Sequence, residues 1–431
     1  MNESQGRHSS RLLNMAVPLE NTPPRQVSPV DSGILARMTQ IDQAPMLRHR
    51  LERFRAELRK RDYPAAVLFD PMNIRYATGT RNMAVWVMHA PSRCAFVAAD
   101  GPVILFEFTA SRHVTDGSPI VDEVRPCVSW NYFLAGPRSE EKARLWADEI
   151  DNLLRRYGGK NRRLAVDRCD SLGAARLRSH GVELFDAQEP AEQARMIKSP
   201  EEIACVQSAI EVCDLAVGRM RDALSPGITE NQLWAILHET NIAHGGEWIE
   251  CRLLASGPRT NPWFQESSDR VIEAGDIVGF DTDMVGPFGY LADISRSWIC
   301  PDVKPTDRQK KLYDLTANQV LFNAELLKPG LSFREFAEKC WPVPDEYVPN
   351  RYMMMVHGCG FVDEYPSIAY AADWQEIGYD GFFEEGMIVS VESFIGEVGG
   401  PDGVKLEQQV AIGPKGARFL SKTPFADALS R

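Results

Sequence analysis

The sequence predicts an α/β (α+β) protein of two domains, and three observations carry that expectation. Its 431 residues exceed what one hydrophobic core usually serves. Between residues 45 and 190, helical spacing gives way to short apolar runs of strand length. A capped helix start then interrupts the pattern at Ser199-Pro200-Glu201-Glu202, with a proline at the first helical position and a glutamate three residues after the cap.

Taken in order, residues 1–44 are rich in Ser, Pro and Asn, lack apolar periodicity and read as a flexible N-terminal arm. Helical spacing opens in PMLRHRLERFRAELRKRD (45–62). AAVLFD (65–70), CAFVAA (94–99), PVILFEF (102–108) and RLAVD (163–167) follow as strands of a mixed α/β domain spanning 45–192. The second domain covers 193–431. Ile203, Val206, Ile210, Cys213, Val217 and Met220 recur at helical spacing until Ser225-Pro226-Gly227. Thr229 with Gln232 opens the next helix, through Leu233, Ile236 and Leu237, which stops near Gly245-Gly246. Strands dominate 249–300, a helix covers 307–327, and Ser332 with Glu335 caps a short one. From 351 onward the chain reads as strands and loops.

Composition narrows the function classes. A net charge of -12 argues against a nucleic-acid partner, which would require a basic face. Nine scattered cysteines without a CxxC pair indicate neither a disulfide framework nor a zinc knuckle, and fit reduced thiols. The opening residues lack the apolar run of a secretion signal, and no stretch approaches a membrane span. A cytoplasmic protein with no membrane partner is expected.

The residues that carry chemistry lie in the second half. In DIVGFDTDMV (276–285), read as a strand, Asp281 and Asp283 share one face. Two carboxylates inside an apolar strand repel each other and are costly to desolvate unless a cation lies between them. Asp293 follows ten residues after Asp283, His357 lies in VHGCGF, Glu392 in MIVSVESFIG and Glu407 in VKLEQQVAI. Five carboxylates and one imidazole are a hard-oxygen and nitrogen donor set suited to two divalent metal ions.

The motifs GYLADISR (289–296), HGCG (357–360), EYP (364–366), GMIVSVES (386–393) and VKLEQQ (404–409) stand in an order that resembles the pita-bread metallopeptidases, the family of methionine aminopeptidases, prolidases and creatinase. PMNIRYATG (71–79) resembles the N-terminal domain of the prolidase and creatinase branch, and RMIKSPEEI (195–203) the start of its catalytic domain. The resemblance covers nearly everything after residue 45. It implies a creatinase-like N-terminal domain followed by a pita-bread catalytic domain, and a homodimer. It also implies Asp293, His357, Glu392 and Glu407 as ligands. The first aspartate stays open, because the spacing to Asp293 is one short from Asp283 and one long from Asp281. Both are carried as metal ligands, with Asp283 as the bridge.

The peptidases of this fold keep two further histidines in their pocket. Pro262-Trp263-Phe264 and Asp363-Glu364-Tyr365-Pro366 stand in those places here, and no histidine follows His357. An ionised aspartate accepts protons, and a tryptophan face can hold a sulfonium or ammonium. Tyr352, five residues before His357, adds an aromatic wall. SGPRTNPWFQE (256–266), FDTD (280–283) and EVGG (397–400) are similar to the branch of the family that cleaves dimethylsulfoniopropionate. That resemblance implies a β-elimination releasing dimethyl sulfide and acrylate from a small zwitterionic substrate. Asp363 is then the base, with Tyr352 assisting and Trp263 and Tyr352 positioning the substrate. Iron is the implied metal, and zinc or manganese suits the same donors. The alternatives are an Xaa-Pro dipeptidase or aminopeptidase, an enzyme acting on another small betaine, and a catalytically silent binding module, against which the complete ligand set argues.

Overall fold

The computed structural model describes residues 29–425, so residues 1–28 of the expected arm lie outside the described residues. Within the remainder of that arm, Ser32–Met38 is a helix, its Asp31 cap accepting from the Gly33 and Ile34 amides. Ile34 is buried in the core, and Arg37 pairs with Glu211 at 2.8 Å. One cap and one buried apolar residue anchor a segment that periodicity alone read as irregular. The next helix, Gln43–Lys60, starts two residues before the expected position.

The N-terminal domain is a six-stranded sheet of β1 (Ala65–Leu68), β2 (Cys94–Ala98), β3 (Val103–Glu107), β4 (Glu123–Pro126), β5 (Arg163–Val166) and β6 (Glu183–Asp186). Their order is β4-β3-β2-β1-β5-β6. The helix Ser139–Gly158 covers one face, packing Trp146, Ile150 and Leu154 against Val67, Phe96 and Phe106. On the other face, Met46, Leu51 and Phe54 of Gln43–Lys60 join Val206, Ile210, Tyr290 and Phe361 in a single core that crosses the domain boundary.

In the second domain, Pro200–Ala223 and Glu230–Ala243 both start with complete capping boxes, at Ser199/Glu202 and Thr229/Gln232. Its strands are β7 (Trp248–Ile249), β8 (Leu254–Ser256), β9 (Ile277–Asp281), β10 (Met284–Val285), β11 (Leu291–Ala292), β12 (Ser295–Ile299), β13 (Val356–Cys359), β14 (Asp363–Ile368), β15 (Ile388–Ile395), β16 (Val404–Gly413) and β17 (Gly416–Phe419). They form sheets ordered β11-β10-β7, β12-β9-β8 and β14-β13-β15-β16-β17. Every residue of β15 is buried, yet the strand alternates in chemistry. Val389 and Val391 pack into the core with Val320 of the helix Asp307–Leu326, as do Leu406 and Val410 of β16. Ser390, Glu392, Lys405, Glu407 and Gln409 occupy the opposite faces, buried and polar. A buried face built from ionisable groups needs charge partners, and it is where the site lies.

The expected strand 276–285 is not continuous. β9 ends at Asp281, Asp283 adopts φ +32°, and β10 belongs to another sheet. Alternation therefore does not place Asp281 and Asp283 on one strand face. Among the described residues, no helix is long and apolar enough to cross a membrane.

Candidate metal centre and active site

Register converges the site residues. In antiparallel pairs, directly opposite residues share a face. Glu392 of β15 lies opposite Glu407 of β16, Asp281 of β9 opposite Ser295 of β12, and His357 of β13 opposite Ser390 of β15. The two sheets are joined at this point: Ser295 Oγ donates to Glu407 Oε2 at 2.7 Å, and Arg296 Nη1 to the Glu407 carbonyl at 2.6 Å.

His357 Nε2 lies 3.5 Å from Asp293 Oδ2, 3.5 Å from Glu392 Oε1 and 3.3 Å from Glu407 Oε1. Its Nδ1 is 3.0 Å from the Gly358 carbonyl and 3.4 Å from Asp363 Oδ1. One ring nitrogen thus faces the carboxylates while the other is oriented by acceptors, the arrangement of a metal-binding histidine. His357, Glu392 and Glu407 have ligand atoms within 4.8 Å of one another, as do Asp281, Asp293 and Glu407, and Asp293, His357 and Asp363.

Whether these residues fit divalent ions can be read from their unsatisfied atoms. Asp281 Oδ1, Asp293 Oδ1 and Glu392 Oε1 are buried without a hydrogen-bond partner. Such acceptors are expensive in the interior unless a cation meets them. Burial, with the charge of Glu407, pushes Asp281 up to about 6 and Glu392, against the Lys405 ammonium, to about 8. Asp293 is also raised well above its ordinary value, by burial and the charge of Glu407. Glu407 goes the other way: burial raises it, but Lys405 and His357 outweigh that and hold it well below the usual carboxylate range. The donor set fits, with Asp281, Asp293, His357, Glu392 and Glu407 converging on one volume.

Asp283 stands beside the cluster, its carboxyl raised by burial and by the charges of Asp281 and Asp363. Its Oδ2 accepts from Cys251 Sγ at 2.6 Å, although its charge still acts on Asp293. Asp363 opens β14 at the edge of the cluster with its side chain 62% exposed. Its carboxyl stands above the usual range, through desolvation and the charge of Glu407 against the pull of His357. Tyr352 is half-buried beside the carboxylates, and Trp263 is only 7% exposed.

Sequence reasoning missed Lys405. Its ammonium is 3.0 Å from Asp281, 2.9 Å from Glu392 and 3.0 Å from Glu407, and donates to Ser295 Oγ at 2.8 Å. It also lies 4.7 Å from the centroid of Tyr352 and 5.8 Å from that of Trp263. The two aromatic walls expected to face substrate thus already face a cation of the protein. A signal existed: Lys405 stands two residues before Glu407 in an apolar strand, hence on the same face.

The profile of metallopeptidase family M24 matches residues 204–414, and that of the creatinase/prolidase N-terminal domain matches 50–197. The chain is 39% identical to the dimethylsulfoniopropionate lyase DddP of Roseovarius nubinhibens, over 86% of this chain and 84% of that protein. It is also 39% identical to the DddP of Roseobacter denitrificans, over 91% and 89%. Among solved structures, the Xaa-Pro dipeptidase from Bacillus anthracis superposes with a TM-score of 0.70 at 20% identity, covering 88% of this chain and 98% of that one.

Proposed function

The chain belongs to metallopeptidase family M24, with a creatinase/prolidase N-terminal domain, and from that premise we propose that it is a metal-dependent lyase cleaving dimethylsulfoniopropionate by β-elimination. The observation that carries this reading is Asp363: a carboxylate at the open edge of the cluster, in the place where the family resemblance implies a histidine for a peptidase. Full-length similarity to two lyases named for this substrate supports the same choice.

Two divalent ions held by Asp281, Asp283, Asp293, His357, Glu392 and Glu407 would supply Lewis acidity, easing the build-up of charge on the substrate carboxylate. Cys251 occupies only Oδ2 of Asp283, so Oδ1 is the oxygen that would meet an ion. Iron is the ion proposed; zinc and manganese suit the same donors. Asp363 removes the proton from the carbon beside that carboxylate, a role that its raised pKa favours. The C–H pair becomes the new double bond, the C–S pair leaves with sulfur, and the products are dimethyl sulfide, acrylate and a proton on Asp363. Tyr352 borders the reacting volume and positions the substrate, while Trp263 shapes the wall behind Lys405. The working form is a homodimer in the cytoplasm.

A headspace assay on metal-replete protein tests the reading. Dimethyl sulfide and acrylate should appear in equal amounts, and Asp363→Asn should lower turnover at least about 100-fold with metal content unchanged. Cleavage of an Xaa-Pro dipeptide without release of dimethyl sulfide would make it a hydrolase instead. Metal loss in Asp363→Asn would make Asp363 a ligand.

A further inference from the structure

The loop between β8 and β9 carries a backbone feature that neither the fold nor the ligand set uses. Phe264 sits at φ +71°, in the left-handed region that a residue with a side chain occupies only at a cost, and it is 56% exposed. Strained backbone and an apolar ring in water both oppose folding. They persist because the flanks are pinned. On one side Asn261 Nδ2 donates to the Glu397 and Gly400 carbonyls at 2.8 and 3.1 Å, and Asn261 Oδ1 accepts from Asn350 Nδ2 at 2.7 Å. On the other, Arg259 Nη2 donates to the Glu266 carbonyl at 2.7 Å, and the Ser267 amide to the Arg252 carbonyl at 2.9 Å.

So held, the loop lays the Phe264 ring on Tyr352, with centroids 5.4 Å apart and planes 28° apart. Trp263 turns the opposite way, packs on Phe394 at 6.1 Å, and faces the Lys405 ammonium. The inner aromatic surface is therefore engaged by the protein's own cation. The ring left open to an arriving one is that of Phe264.

We propose that Phe264, braced by Tyr352 beneath it, is the wall that receives the methylated onium end of the substrate and selects a sulfonium or quaternary ammonium over an uncharged isostere. The proposal deepens the lyase reading and rests on it. An aromatic face attracts a cation within about 6 Å of its centroid, and a methylated onium brings apolar contact as well.

The test compares wild type with Phe264→Gly and Phe264→Trp, all metal-loaded. In Phe264→Gly, KM for dimethylsulfoniopropionate should rise about 3- to 30-fold, the range of one cation–π contact. Its kcat should stay within about threefold and its metal content unchanged. Tm should hold or rise, because glycine adopts this backbone freely. Phe264→Trp should recover KM to within about threefold. The inhibition constant of 4-methylpentanoate, the uncharged carbon isostere, should barely move in Phe264→Gly. An unchanged KM, or a fall in Tm with a change in oligomeric state, would overturn the proposal and make the ring a packing or subunit contact. If the wild type releases no dimethyl sulfide, the lyase reading fails separately. Calorimetric binding of glycine betaine to wild type and Phe264→Gly then decides the role of Phe264: weaker binding in the variant upholds it, equal binding overturns it.

Discussion

Lys405 is 0% exposed, and bringing an ammonium into the interior costs several kcal/mol unless well-placed partners offset it. Three carboxylates, a serine hydroxyl and two aromatic rings do so here. The charges would also balance in the proposed centre: Asp281, Asp283, Asp293, Glu392 and Glu407 bring five negative charges, which two divalent ions and one lysine would cancel. Lys405→Met, close in volume, should destabilise the metal-free protein by about 3–5 kcal/mol in urea unfolding. A loss below 1 kcal/mol would mean the ammonium is not what holds these carboxylates. Proton linkage gives a second expectation. Asp281 at about 6 and Glu392 at about 8 keep protons that the unfolded chain has already lost, so across about pH 4.5–8 the native state binds more of them. Stability of the metal-free protein therefore falls as pH rises through that window. His357, also raised, adds to the fall above about pH 6.5, while Glu407, depressed, loses its contribution only on acidification. Tm of the metal-free protein should decline from pH 5 to 8. Metal binding should release protons, measured by titration calorimetry in buffers of different ionisation enthalpy.

At the scale of elements, β14 carries two adjacent acids with different tasks. Asp363 faces the cleft. Glu364, one residue on, points to the other side, where it meets Arg195 Nε at 3.0 Å and Lys198 Nζ at 2.9 Å and accepts from the Phe361 amide at 3.0 Å. That grip fixes the strand that presents Asp363. Glu364→Ala takes from buried Lys198 its carboxylate and leaves Arg195 with Glu192, and it should cost about 3–5 kcal/mol, with kcat falling while metal content is retained. Loss of metal in parallel would show that β14 supports the ligands as well as the base. Much at this scale was legible in the sequence. The capping boxes at Ser199 and Thr229 marked their helices, and a glutamate amid the valines of β15 marked a buried polar face. The break at Thr282–Asp283 was not, because period-two alternation carries no information about a residue at positive φ. The helix Pro71–Thr78 could have been read: Asp70 caps it, Pro71 takes its first position and Gly79 ends it at φ +69°.

The whole molecule is tied across its domain boundary. Arg50, 2% exposed, donates to Tyr290 Oη at 3.2 Å, which in turn donates to Glu202 Oε1 at 2.8 Å. The Tyr290 ring stacks on Phe361 at 4.5 Å, three residues before Asp293 on one side and two before Asp363 on the other. Arg75 reaches Glu247 Oε2 at 2.6 Å across the same seam. With one shared core, the two domains should melt in a single calorimetric transition, and Arg50→Ala, which leaves Glu202 short of its cation, should lower Tm and broaden or split the peak. Two resolved transitions in wild type would contradict the shared core. The register of β15 against β16 has a further consequence. Because strand side chains alternate, sliding β16 by one residue would swing Lys405 and Glu407 away together and bring Leu406 into their place. A misaligned hairpin thus forfeits the Glu407 carboxylate and the Lys405 ammonium in one step, leaving Asp281, Asp293, His357 and Glu392 without the acid that links them. An ion held through Glu407 would therefore stabilise the correctly registered hairpin over the slipped one.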